Sequence, residues 1–68
     1  MIADVNRTSR RRYLVFAANV AKTPEQIQTV SEGVASWLRS YPKDEIVKRA
    51  ARQLEGAEQR LRQAGEWH

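Results

Sequence analysis

The sequence predicts an all-α domain of three helices, spanning about 9–21, 24–40 and 43–64. Apolar residues recur every three or four positions from Ile27 to Tyr41 and again from Ile46 to Ala64. Residue types that start and stop helices bracket both runs. The third observation concerns what can stabilise 68 residues, a length that buries only about 60% of its unfolded surface. The chain has no cysteine, and its one histidine is His68, so disulfides and metal are set aside. Regular helix packing or self-association remains.

The first segment, "RTSRRRYLVFAANV", supports two conformations. As a helix capped by Thr8 or Ser9, it puts Tyr13, Phe16, Ala17 and Val20 on one face, widened by Leu14 and Ala21. Arg11, Arg12, Asn19 and Lys22 then point away. As a strand it would need burial on both faces and a pairing partner from a second copy. Helix is preferred, because Ala17, Ala18 and Ala21 favour it and no second strand exists to pair with the segment.

The middle segment opens with Thr23-Pro24-Glu25-Gln26: a capping threonine, proline at the first helical position and glutamine at the third. Ile27, Val30, Val34, Leu38 and Tyr41 follow as one stripe, with Trp37 at its edge. Pro42 disfavours helical geometry at Tyr41 and ends the element. In the last segment, Asp44 and Glu45 complement the positive end of the helix dipole. Its stripe is Ile46, Val47, Ala50, Ala51, Leu54, Ala57, Leu61 and Ala64, and Gly65 is the natural terminator. Glu45 with Arg49, and Glu58 with Arg62, are spaced as i,i+4 ion pairs. This helix would be about 30 Å long, enough for its far end to project or to meet another chain.

The expected core is Tyr13, Phe16, Ala17, Val20, Ile27, Val30, Val34, Leu38, Ile46, Ala50, Leu54 and Leu61. Gly33 and Gly56 fall toward the polar sides of their helices, so neither is expected at a close crossing. A single domain covers residues 1–68, with 1–6 and 66–68 as flexible tails.

Composition narrows function by exclusion. There is no cysteine, no internal histidine and no glycine-rich phosphate loop, and three short helices enclose little volume. A non-enzymatic protein without cofactor or metal is expected. The longest apolar stretch, Tyr13 to Ala18, is too short for a signal-peptide core or a membrane span, so a cytoplasmic protein without membrane contact is expected.

Charge is unevenly placed. The net +4 of the chain equals the excess over residues 1–22, while residues 23–41 carry −1 and 42–68 carry +1. The binding candidates follow from this and from the aromatic residues. Arg7, Arg10, Arg11 and Arg12 form a basic lead-in able to contact phosphates or an acidic protein. Trp37 and Tyr41 lie one turn apart, and residues of these types are enriched in interface hot spots. Arg49 and Arg52 mark the basic side of the last helix.

Two motifs bear on a nucleic-acid alternative. Tyr13 to Val30 can be threaded onto a helix-turn-helix, which would expose Gln26, Gln28 and Thr29 on a recognition helix. "YPKDEIVKRAARQLEGAEQRL" resembles the second helix of ribbon-helix-helix antitoxins at Tyr41, Val47, Arg49, Ala50, Leu54 and Glu55, about a third of the chain. That resemblance implies a DNA-reading strand, two helices and a toxin-binding tail, in a dimer. The sequence departs from it where alternate polar residues should read DNA, because "YLVFAAN" supplies almost none. Tyr41-Pro42 also replaces the usual small-residue turn. The leading expectation is therefore a small accessory or regulatory module that binds a larger protein or a second copy. A dimeric DNA-binding regulator, reached through the basic arm, is the alternative.

Overall fold

In the computed structural model of the chain, the backbone is described over residues 2–67 and the side chains over 7–67. Three helices form: α1 (Ile2–Val20), α2 (Pro24–Ser40) and α3 (Glu45–Gln63). No strand occurs among the described residues, so Tyr13 to Val20 is helix and the ribbon implied by the antitoxin resemblance is not formed. Among the described residues, no helix is long and apolar enough to cross a membrane.

The helix ends follow local chemistry. Thr23 caps α2: its hydroxyl accepts from the Gln26 backbone N–H at 3.2 Å, and the Gln26 side chain accepts from Thr23 N–H at 3.3 Å. The expected capping box is therefore complete. Asp44 caps α3, its carboxylate accepting from Val47 N–H at 3.3 Å, so the helix starts at Glu45 and not at position 43. At the far end Gly65 takes φ 75°, a left-handed geometry that favours glycine. Gly65 N–H donates to Arg62 O and Glu66 N–H to Leu61 O, which closes α3 in a Schellman turn.

The start of α1 lies earlier than expected. Thr8 and Ser9 sit inside the helix rather than capping it, and the basic lead-in is therefore helical. Of the expected tails, Met1, His68 and the side chains of 2–6 lie outside the described residues. Trp67 packs against the edge of the core, with Arg62 Cζ 4.9 Å from its ring centroid.

Two side-chain contacts fix how α1 lies on α3. Arg11 meets Asp44, and Asn19 accepts a hydrogen bond from Gln53. The sequence offsets of these contacts, 33 and 34, differ by only one, so the helices run parallel with α1 displaced toward the start of α3. Ile2 is then level with about position 35, and the span down to Gln63 is about 42 Å at 1.5 Å per residue. The molecule measures 45 × 19 × 15 Å, in agreement with this stagger.

The core is Leu14, Ala17, Ala18, Ile27, Val30, Val34, Trp37, Val47, Ala50 and Leu54. It corrects the sequence expectation on α1 and at the start of α3. Tyr13, Phe16, Val20 and Ile46, all expected inside, are 63%, 64%, 47% and 48% exposed. Leu38 and Leu61 are half-buried at the core's edge. Helix α1 is turned by roughly a third of a revolution from the expected orientation, at 100° per residue. Small side chains explain the turn. Ala17 and Ala18 let α1 approach closely, and Leu14 reaches over Gly33, where an added Cβ would lie 2.8 Å from Leu14 Cδ2. Gly33 therefore does mark a close approach, contrary to its reading from helical periodicity.

The two helical glycines should respond with opposite signs. At Gly56 an added Cβ meets only Arg60 Nη1, at 3.7 Å. Gly56→Ala should stabilise by about 0.5–1 kcal/mol through helix propensity alone. Gly33→Ala has the same gain, but overpacking of about 1–3 kcal/mol against buried Leu14 should leave a net loss. Urea midpoints of the two variants, at unchanged slope, check the pair.

Candidate protein-binding face

The rotation of α1 leaves its largest apolar side chains outside. Tyr13, Phe16 and Val20 follow one another at spacings of three and four, which sets them on one stripe. Leu14 and Ala18 occupy the opposite side of the same helix and are 5% exposed each. Thus α1 is apolar on two faces and the chain uses one of them. Scattered exposed apolar residues need no explanation, but an aligned group of large ones does.

A groove flanks the stripe on each side. Between α1 and α2 lies one of about 450 Å³, lined by Tyr13, Phe16, Val20 and Val30, with Glu25 and Gln26 among its polar residues. Between α1 and α3 lies one of about 340 Å³, lined by Arg11, Arg12, Val15, Phe16, Asn19 and Ile46. Phe16 is the shared ridge. The α1/α3 groove contains no carboxylate; its polar groups are guanidinium and amide.

One end of this face is held by a compact polar node. Asp44 Oδ2 accepts from Arg11 Nε at 2.8 Å and from Trp37 Nε1 at 3.0 Å. Its Oδ1 accepts from Arg11 Nη2 at 2.9 Å, in addition to the capping bond from Val47 N–H. Paired charge and multiple donors hold the carboxyl well below its ordinary range, Arg11 contributing most. The same contact raises the Arg11 guanidinium. Among the described residues, no buried side-chain nitrogen or oxygen lacks a hydrogen-bond partner. A carboxylate so fully engaged is a structural bolt and a poor proton acceptor.

The candidate residues thus divide. Arg11 belongs to the node, its guanidinium committed to Asp44. Trp37 is core, 7% exposed, and its indole N–H is committed to the same carboxylate. Tyr41 stacks on Trp37 with ring centroids 4.6 Å apart, and Arg7 Cζ sits 5.6 Å from the Tyr41 ring centroid. Arg10, Arg12, Arg49 and Arg52 are exposed. The expected Glu45–Arg49 pair is not formed; Glu45 meets Lys48 at 3.5 Å, whereas Arg62–Glu58 forms at 3.0 Å. Of the arginines, Arg12 alone combines exposure with a place in the α1/α3 groove.

Periodicity alone misses the apolar face, because both stripes of α1 satisfy it. A usable signal was present in the alanines. Ala17, Ala18 and Ala21 allow tight packing, and they cluster around the Leu14–Ala18 side. Compared with protein-family models, with curated proteins and with solved structures, the chain finds no match.

Proposed function

We propose that this chain is a non-enzymatic protein-binding module, an accessory or regulatory protein that docks a larger partner through the outward face of α1 and Ile46. The observation that carries this reading is the aligned exposure of Tyr13, Phe16 and Val20 beside a core completed without them. Large aromatic side chains standing clear of the surface are the residue type that anchors interfaces.

The test uses the whole chain and its Phe16→Asp variant as bait in a native host extract, with and without nuclease. Phe16 is mostly exposed, so circular dichroism of the variant should remain unchanged. The expected result is a partner retained after nuclease and lost with Phe16→Asp. If both baits recover the same proteins, the face is not the docking surface.

A further inference from the structure

We propose that the occupant of the α1/α3 groove is an amphipathic helix of another protein, with acidic residues flanking its apolar stripe. This inference rests on the protein-binding reading above and names the chemistry of the partner.

Charge complementarity selects the occupant. Phe16 and Ile46 form apolar walls of the groove, and Arg12 stands on its α1 side. On α3, Arg49 follows Ile46 by one turn and precedes Gln53, which is hydrogen-bonded to Asn19 of the groove. Neither Arg12 nor Arg49 has a carboxylate partner among the described residues. An apolar channel rimmed by two exposed, unpaired guanidinium groups fits a helix whose leucine-like stripe is bordered by glutamate or aspartate. Guanidinium binds carboxylate bidentately, so the rim supplies register as well as attraction. The helix-in-groove mode requires anchors at i, i+3 or i+4 and i+7. On this chain Phe16 is the ridge residue that borders this groove, together with Val15 and Ile46, whereas Tyr13 and Val20 line the α1/α2 groove.

Other occupants fit less well. A second copy joined through the same face would bring a groove lined by no carboxylate, with its own Arg12 and Arg49, to both sides of the interface, on a chain of net charge +4. A nucleic acid would satisfy the arginines but leave Phe16, Ile46 and Val20 facing phosphates. A bilayer would take the ridge but not fill a groove recessed on either side of it.

Two synthetic helical peptides with the same leucine stripe test the inference, one flanked by glutamate and the other by lysine. Binding is read by fluorescence anisotropy against the full chain. The glutamate peptide should bind at least about tenfold more tightly than its twin, and Phe16→Asp or Arg12→Glu should each weaken it about tenfold. Its affinity should also fall several-fold between about 50 and 300 mM salt, as surface charge is screened. Equal binding of the two peptides, still abolished by Phe16→Asp, would overturn the acidic partner while leaving the docking face intact. Binding of neither peptide overturns the acidic helix; if host capture is also insensitive to Phe16→Asp, the module reading falls with it.

Three further outcomes would also reject the proposal by naming another occupant. One is a dimer in light scattering that dissociates on Phe16→Asp, which would assign the groove to a second copy. Another is a duplex-DNA shift abolished by Arg12→Glu with Arg49→Glu but not by Phe16→Asp. The last is flotation with anionic vesicles that depends on Phe16. Phe16→Ser, which removes the ring without adding charge, serves as the second variant throughout.

Discussion

Asp44→Ala should cost about 3 kcal/mol, most of the stability that a chain of this size usually holds. Two losses combine. The N-cap of α3 disappears, for about 1 kcal/mol. The buried Trp37 indole N–H loses its acceptor, Asp44 Oδ2, and an unsatisfied buried donor costs about 1–3 kcal/mol. Asp44→Asn is the informative companion. Asparagine caps nearly as well as aspartate, but its single oxygen keeps either the Val47 cap, made at Oδ1, or the Trp37 bond, made at Oδ2, while its amide nitrogen turns a donor toward the other and the charge facing Arg11 is lost. Its loss should be smaller than that of the alanine variant, because one of the two bonds is kept.

The same pair reports on pH. The Asp44 carboxyl is depressed below its ordinary value of 3.8 in the folded chain. A depressed carboxyl contributes stability that is fully present above the unfolded value and declines as pH falls through the folded one. The wild-type urea midpoint should therefore drop from about pH 4 downward, and Asp44→Asn should flatten that limb. An equal acid limb in both proteins would place the titration elsewhere. The Trp37 ring makes the transition visible by fluorescence, because its environment is destroyed on unfolding.

Leu14→Ala and Phe16→Ala provide the second large contrast. Leu14 is 5% exposed and packs over Gly33, so its truncation should cost about 3 kcal/mol. Phe16 is 64% exposed, and its truncation should fall within about 0.5 kcal/mol. The expectation drawn from sequence periodicity was the reverse, with Phe16 in the core. Denaturant midpoints thus decide the rotation of α1 directly. A large loss at Phe16 would return that stripe to the interior and remove the proposed docking face.

The legible part of the fold was the part written in local chemistry. The cap at Thr23, proline at the first position of α2, the break at Pro42 and the terminator Gly65 each act within a few residues. The stripe Ile27–Val30–Val34 was equally legible, because α2 has one apolar face and only one way to bury it. Helix α1 was different. It satisfies the helical period on both sides, and the aromatic side is the more hydrophobic, so the pattern alone favours the wrong stripe.

The candidate site was legible only in its charges. Arg12 and Arg49 stood out in the sequence, and both are exposed in the structure. Their relation to Phe16 and Ile46 depends on the register of α1 against α3, which Arg11–Asp44 and Asn19–Gln53 set across more than thirty residues of chain. Arg11, grouped with its neighbours as a binding arginine, is instead the residue that holds α1 to the start of α3.

By itself, then, the sequence determined three helices, their turns and the buried stripe of α2, because caps, prolines and a single apolar period act locally. Only the tertiary structure decided which face of α1 goes inward. That choice depends on Ala17, Ala18 and Gly33 permitting close approach and on Arg11 reaching Asp44. Both are contacts between segments distant in sequence, and together they turn Phe16 from an expected core residue into the ridge of the surface.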